Sequence, residues 1–302
     1  VRFRKGLPQK IGGWTKFSEA YYVGVGRALE QWFALDGSRY EALGTDRKVY
    51  VYVAGTNQDI TPIRSTDALV NAISTTTSSN IITITDTDHG AIQGDFVTLS
   101  SVSTAVAGIP ATTLDAEYQI LSIANSDAYT IQSSATANAN TGPTANCTIN
   151  YQLNIGPSIQ TFGFGWGAGN WSAGTWNTPR TTTTITLDAR LWSINNWGED
   201  LIITQKDGGT YEWDTSAGMT DNRATVVANA PTTSTLSLVS TETRHVVCMG
   251  TETTIGTNTT QDKMFIRWSD QENYNQWTPN VTNSAGSQRI AGGSEIRCAR
   301  PA

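Results

Sequence analysis

The 302-residue sequence has little charge, few cysteines and no long apolar run. Charged residues make up only 15% of it, so runs rich in Ala, Leu, Glu and Lys, which form long helices, are scarce. The three cysteines are far apart and odd in number, which indicates neither a disulfide framework nor a metal site. No apolar stretch reaches the ~18 residues of a membrane-spanning helix. Thr, Val, Ile, Tyr and Trp are plentiful instead, and they favour strands, so the predicted class is all-β.

Positive charge is missing from a long internal segment. No Lys or Arg occurs between Arg64 and Arg180, whereas acidic residues do. These acids are Asp67, Asp86, Asp88, Asp95, Asp115, Glu117 and Asp127. Because an acidic surface repels phosphate, this segment is a poor candidate for gripping DNA, and solvated acids in turns are the simplest interpretation.

Composition changes near Ser65 and divides the chain into three parts. Residues 1–65 contain strand and turn patterns, including Asp36-Gly37 between two apolar runs, which predicts a hairpin. Residues 66–153 are rich in Thr, Ser and Ala and contain about five short alternating runs, which predicts an inserted small β-barrel or sandwich. In "NIITITD", for example, Ile82 and Ile84 are expected on one face. Residues 154–302 return to the first pattern.

A strand–turn–strand unit that ends in an aromatic and an acidic residue recurs along the chain. It appears as "TYEWD" and "RWSD", and "KVYVYVAGTNQDI" fits it once residues 66–153 are removed. Strand-rich repeats of ~40–55 residues predict the blades of a β-propeller. The aromatic residues expected to fill the spaces between blades are Tyr211, Trp213, Trp268 and Trp277. About three units are present and closure usually needs at least four, so we expect a propeller that is incomplete in this chain and is completed by a longer polypeptide or by other chains.

Two groups of acids invite a chemical interpretation. Asp270 and Glu272 lie between two tryptophans and suggest a glycosidase, but a two-carboxylate mechanism needs a separation of ~5–9.5 Å across a sugar, and neighbouring acids on a turn are far commoner. Another segment, "DTDHGAIQGD", offers several carboxylates and His89 but lacks the spacing of a calcium loop. We therefore expect turns in both places, no enzyme activity and no cofactor.

Two further segments are candidate contact surfaces. The glycine-rich stretch "GFGWGAGNWSAGTWNTPR" contains Trp166, Trp171 and Trp176 at a spacing of five, which is neither a helix nor a strand period and predicts an irregular loop. The sharper alternative for this loop is a binding surface. The N-terminal basic residues Arg2, Arg4, Lys5 and Lys10 have no acid nearby. They indicate either a docking contact to a partner or nucleic acid, or a protected strand edge.

Several segments together resemble the tail-tube nozzle family of short-tailed bacteriophages, also called tail hub or packaged-DNA stabilisation proteins. They include "VRFRKGLPQKIGGW", "LIITQKDGGTYEWDTSAG" and, most specifically, "IRWSDQENYNQWTPNVTNSAGS". The segment "TDTDHGAIQGDFVTLS" is similar to a small β-barrel inserted in such proteins. The resemblance implies a β-propeller with an inserted platform domain, assembled as a six-fold homo-oligomeric ring in the virion tail.

The resemblance also implies a structural role. The ring would lie below the portal and a tail adaptor, with fibre, spike or needle proteins around it, and genomic DNA would pass through its channel without sequence-specific binding. Since Lys and Arg in a channel wall would grip phosphates, we predict that the seven acids of the inserted domain face the channel. The basic N-terminal residues, the three loop tryptophans, Asp270 and Glu272 are predicted contacts to other subunits or to the adaptor. The alternative is a propeller-type glycan- or receptor-binding virion protein.

Overall fold

The computed structural model describes residues 2–10, 13, 21–160 and 188–300, which are built almost entirely from antiparallel strands. The chain begins with a two-stranded hairpin of β1 (Arg2–Arg4) and β2 (Leu7–Gln9). A four-stranded sheet follows, formed by β3 (Gly26–Phe33), β4 (Arg39–Thr45), β5 (Val49–Val53) and β6 (Thr56–Asp59). Each strand pairs with the next along the chain, which is the arrangement of a propeller blade.

The second unit is a single eight-stranded sheet inserted after this first blade. Its strands are β7 (Ile63–Leu69), β8 (Ile73–Thr75), β9 (Ile81–Thr85), β10 (Phe96–Ser100), β11 (Glu117–Asn125), β12 (Ala128–Gln132), β13 (Thr141–Thr144) and β14 (Cys147–Gln152), with helix α1 (Ala111–Leu114) between β10 and β11. Their spatial order is β13-β8-β9-β12-β11-β10-β14-β7. The strands thus run from Ile63 to Gln152, close to the predicted domain limits at residues 66 and 153.

The last part of the chain forms two more four-stranded sheets. The second blade contains β15 (Trp192–Trp197), β16 (Asp200–Gln205), β17 (Thr210–Trp213) and β18 (Thr225–Val226), with a 3-10 helix at Thr215–Ala217. The third contains β19 (Leu236–Val239), β20 (Val246–Met249), β21 (Phe265–Trp268) and β22 (Gly286–Arg289), with a 3-10 helix at Asn258–Thr260. The predicted all-β class, with propeller blades and an inserted β domain, is confirmed. Among the described residues, no helix is long and apolar enough to cross a membrane.

The second blade is buried on both faces, and its sequence shows why. In β16 the apolar run "LII" and the following Thr204 are all buried, as expected for a strand with a sheet on either side. Leu201 and Ile203 pack in one cluster with Trp32 of the first blade. Ile202, between them, belongs to another cluster with Val246 of the third blade. Alternate side chains of one strand therefore hold the three blades together in a row.

The inserted sheet folds around one core without closing into a barrel. Ile82 and Ile84 are both fully buried in that core, as their alternation predicts. The first half of β11 pairs with β10 and the second half with β12, with register shifts after Ile120 and Ile123, so the sheet turns along this strand. In the described part of the chain the end strands β13 and β7 do not pair with each other. Of the two predicted forms, barrel or sandwich, the closed barrel is therefore not the one adopted.

The aromatic residues predicted between blades do not all lie there. Trp213 is fully buried with Trp32 and Tyr40, at ring-centroid distances of 6.5 and 6.1 Å. Tyr211, two residues earlier on the same face, packs partly against the same cluster, and Trp277 is fully buried in the cluster between the second and third blades. Trp268 does not lie between two of the described blades. Its neighbour Arg267 pairs with Cys248, which faces the second blade, so Trp268 lies on the opposite face of the sheet, half-buried.

Candidate functional site at the junction of blades and inserted domain

A lysine with almost no solvent exposure joins the first blade to the inserted domain. Lys48 lies just before β5, and only 4% of its side chain is exposed. Its Nζ lies 2.7 Å from Asp59 Oδ2 of the same blade and 2.6 Å from Glu117 Oε1 of the inserted domain. The same ammonium is 4.2 Å from the ring centroid of Phe96, also in the inserted domain. One buried charge therefore contacts both units, and the aromatic face adds cation–π attraction.

The second blade completes this ionic cluster through Arg223. Its guanidinium lies 3.3 Å from Asp59 and 3.5 Å from Glu117, so two cations and two carboxylates alternate around the junction. Gln152, the last residue of β14, donates from Nε2 to Glu117 Oε2 at 2.5 Å. Three separate parts of the chain thus meet at Glu117, which fixes the placement of the inserted domain on two blades.

The titration of Asp59 reflects this cluster. Burial disfavours its carboxylate and by itself raises the pKa, but the charges of Lys48 and Arg223, with the hydrogen bonds from Lys48 and Thr61, outweigh burial and lower the pKa of Asp59. The ionised form is therefore the one that the fold stabilises. The arrangement is chemically a clamp, since each charge is neutralised by an opposite charge from another unit.

Two of the seven acids predicted to face a channel are buried in the inserted domain instead. Asp86 accepts a 2.6 Å hydrogen bond from the Tyr151 hydroxyl, and only 8% of the residue is exposed. Asp95 is 1% exposed and accepts hydrogen bonds from the backbone of Ile92 and Ile155. Burial raises the pKa of Asp95, against the lowering effect of those two N–H donors. Neither carboxylate can line a channel, because both serve hydrogen bonding inside the protein.

The other five acids differ in exposure. Glu117 belongs to the ionic cluster, with 36% of its side chain exposed. Asp115 is exposed and accepts a hydrogen bond from the Val102 backbone. Asp88 is exposed, Asp127 is half-exposed beside it, and Asp67 is half-exposed on β7. Asp67, Asp88, Asp115 and Asp127 are thus the acids that remain on the surface of the domain, and their facing a channel stays a prediction.

The predicted contact residues lie in three different places. Arg4, Lys5 and Lys10 are exposed at the N-terminal hairpin, in which Arg2 begins β1. Trp166, Trp171 and Trp176 lie outside the described residues. Asp270 and Glu272 lie in the loop after β21, on the third blade. The structure therefore does not bring these three groups together as one site.

Asp270 is the anchor of a turn. Its Oδ1 accepts hydrogen bonds from the Ser284 backbone and hydroxyl, both at 2.8 Å, and from the Gln271 backbone at 2.9 Å. The Ser284 N–H, followed by its hydroxyl, lowers the pKa of Asp270, so this carboxylate is held ionised and is unsuited to act as a general acid. Glu272 is exposed at a left-handed φ of 55° and donates its backbone N–H to Arg244. The two acids have different structural roles and do not form a matched pair.

A serine–histidine contact at the same turn was not predicted from the sequence. His245 Nε2 lies 2.9 Å from Ser284 Oγ, and Nδ1 lies 2.8 Å from Thr243 Oγ1. The Ser284 hydroxyl also bonds to Asp270 and accepts the Gln271 N–H. It is therefore saturated with hydrogen bonds, whereas a catalytic nucleophile needs a free approach. The partners are separated by 39 residues, so no local motif points to them.

The cation-binding alternative for "DTDHGAIQGD" also finds other partners. His89 Nδ1 accepts the Ala91 N–H at 3.0 Å, and Nε2 lies 3.2 Å from the Asn125 carbonyl, so the ring nitrogens are engaged as in a structured turn. Across the described ranges, no group of three or more His, Cys, Asp or Glu side chains is placed to hold a metal ion.

Comparisons with known proteins add little to this geometry. No family model matches the chain, and no curated protein matches it. Among solved structures the chain is similar to "Phage phi92 endosialidase", at 11% identity and a TM-score of 0.29. The match covers 90% of this chain but only 38% of that protein. A TM-score this low does not bear on the function of the chain.

Proposed function

We propose that this chain is a structural subunit of a short phage tail, a nozzle or hub that forms a ring below the portal and adaptor, retains packaged DNA and conducts it during ejection. The observation that supports it is the architecture itself. Four-stranded blades lie in a row, and a separate β domain is inserted between the first and the second. That combination is what the resemblance in sequence implies.

The charge distribution agrees with a role in conducting DNA. The strands of the inserted domain contain one cation, Arg64 at their start, and it is occupied by the His89 carbonyl at 2.7 Å and by the Tyr151 ring. The neighbouring cations Lys48 and Arg223 are neutralised by Asp59 and Glu117. A DNA duplex that slides past this domain would meet no free Lys or Arg on the β-strands. Few DNA counterions would be released, so electrostatic binding would be weak.

Electron microscopy of the assembled protein tests the proposal. We expect six-fold rings with an axial channel, and no electrostatic binding of free duplex DNA to the inserted domain at moderate salt. Asp67→Lys should create salt-dependent DNA binding, because the new cation adds a phosphate contact. A chain that remains monomeric and binds oligosaccharides on an array would instead favour the glycan-binding alternative and overturn the nozzle role.

A further inference from the structure

The N-terminal hairpin presents apolar side chains to solvent. Its two-residue turn, Lys5-Gly6, has φ values of 53° and 79°, the signature of a type I′ hairpin. Phe3 is 75% exposed and Leu7 is 70% exposed. A two-stranded hairpin is only marginally stable by itself in water. A second surface that covers these residues would stabilise it.

The register of the hairpin sorts its residues onto two faces. Arg4 pairs with Leu7, so a cation and an aliphatic side chain share one face. Phe3 pairs with Pro8 on the other face. A surface that fits the first face should be both acidic and apolar.

The inserted domain has such a surface. We call it the acidic patch, and it comprises Asp88, Ile92, Leu121, Ile123, Asn125 and Asp127. A cavity of about 230 Å³ is lined by residues that include Asp88, Ile123 and Asn125. Ile92 and Leu121 are 47% and 43% exposed, and Gln93, which follows Ile92 in the chain, donates from Nε2 to the Leu121 carbonyl. This pocket is open to solvent, and its apolar wall is formed by Ala91 and Ile123, against which a leucine side chain can pack.

One carboxylate, that of Asp88, lines the cavity, and that of Asp127 lies beside it. The Asp88 backbone donates to Asp127 Oδ1 at 3.1 Å, which places the two acids side by side. Leu121 and Ile123 are not part of the core, because residues 121–125 of β11, where the register shifts occur, are all exposed. Exposed aliphatic residues rimmed by charge are typical of an interaction surface.

We propose that the hairpin of one copy docks on the acidic patch of a second copy of this chain, with Leu7 in the cavity and Arg4 and Lys5 against Asp88 and Asp127. Charge complementarity favours this occupant, because the hairpin has cations and no acid, whereas Asp88 is exposed and Asp127 half-exposed at the patch. Arg64 lies beside the patch and is engaged by the His89 carbonyl. Within one copy, the described hairpin side chains are exposed. The proposal deepens the proposed function, since a contact between two different surfaces of identical chains builds rings or filaments.

Sedimentation of the purified chain at low salt tests this contact. We expect concentration-dependent self-association that weakens as salt is raised. Leu7→Ser should weaken association about tenfold, because it removes the anchor in the cavity. Phe3→Ser is the matched control, since it removes a similarly exposed apolar side chain from the other face and should leave association unchanged. Urea unfolding of each variant verifies that the fold is intact.

Charge exchange tests whether the two surfaces meet between copies. Arg4→Glu and Asp88→Lys should each weaken self-association, whereas an equimolar mixture should associate again, because each variant retains the surface that the other has lost. Asp67→Lys makes the same charge change elsewhere on the inserted domain and should have no effect. A monomeric wild-type chain, or a mixture that does not associate, would overturn the contact. Rings that persist in Leu7→Ser would overturn the contact but leave the proposed tail role standing. Association of the wild-type chain into open dimers or filaments without a ring would support the contact and overturn the tail role.

Discussion

Replacement of Lys48 by methionine tests the ionic cluster directly. Methionine has a similar length and no charge, so Lys48→Met removes ion pairs of 2.7 and 2.6 Å while filling most of the space. Removing one partner of a fully buried pair costs about 3–5 kcal/mol. Arg223 remains 3.3 Å from Asp59, and Glu117 is partly exposed, so both carboxylates keep some compensation. We therefore expect a loss of about 2–3 kcal/mol in the free energy of unfolding.

Urea unfolding followed by tryptophan fluorescence measures this loss, and the adjacent residue supplies the control. Arg47 is 39% exposed and lies 3.9 Å from Asp46, so Arg47→Met should cost about 0–1 kcal/mol, as exposed pairs do. In the double variant Lys48→Met, Asp59→Asn, the loss in the free energy of unfolding should be smaller than the sum of the two single losses. The reason is that Asp59→Asn removes the charge that Lys48→Met leaves with one partner fewer. A Lys48→Met variant no less stable than Arg47→Met would refute the clamp.

The pH dependence of the free energy of unfolding also tests the ionic cluster, and its direction can be predicted. Since the folded pKa of Asp59 is lowered, its contribution to stability is present above its unfolded pKa of about 3.9 and is lost as pH falls through the lower folded value. The stability difference between wild type and Lys48→Met should stay constant from pH 7 to about 5 and shrink below about 4. A difference that does not narrow in acid would mean that Lys48 acts through packing alone.

Three further predictions use the blade interfaces and the thiols. In the same unfolding assay, Trp213→Ala should cost about 3–5 kcal/mol because its ring is fully buried, whereas the half-buried Trp268→Ala should cost less than half of that. Gly44→Ala should cost about 1–3 kcal/mol, since its new Cβ would lie 2.7 Å from the ring of Trp192, which a 2.6 Å hydrogen bond holds in place; unchanged stability would contradict this packing. At pH 8 a thiol reagent should label Cys298 rapidly and the other two cysteines only on unfolding, because burial raises both of their pKa values to about 11; fast labelling of a second thiol would contradict it.

The blades could be predicted from sequence because their signals are local. Asp36-Gly37 joins β3 and β4 as expected, with Gly37 at a φ of 83° and the Ser38 N–H bound to Asp36. Alternation likewise located the core of the inserted domain at Ile82 and Ile84. In each case a few neighbouring residues determine both the conformation and the face.

The face of Trp268 could not be predicted in this way. The repeat aligns it with Trp213, since both end the third strand of a blade. Side chains alternate with a period of two, so a shift of one residue in the strand exchanges the faces. In the third blade Arg267, not Trp268, points towards the second blade, and the Trp268 ring covers Gly286 of its own sheet. Aligning the two motifs therefore does not predict which face of the sheet the tryptophan occupies.

The ionic cluster was missed for a different reason. Lys48 lies 11 residues from Asp59 but 69 residues from Glu117, and Arg223 comes from another blade. No residue type or spacing distinguishes these four from ordinary surface charges. Only the fold brings them together, through the antiparallel pairing of β7 with β14, which returns the chain to its starting point with the Leu153 N–H on the Pro62 carbonyl.

The same fold changes what the acidic segment can contribute to a channel. Two of its seven carboxylates are buried, and Glu117 is neutralised at the junction, so the surface is less negative than the sequence alone indicates. Repulsion of DNA by acids is therefore the less well supported part of the channel hypothesis. The absence of Lys and Arg between residues 65 and 179 is unaffected by folding, because no rearrangement can supply a cation that the segment lacks. In the proposed channel, a wall without Lys and Arg would offer few contacts to a phosphate backbone, so the proposal does not depend on how many acids remain exposed.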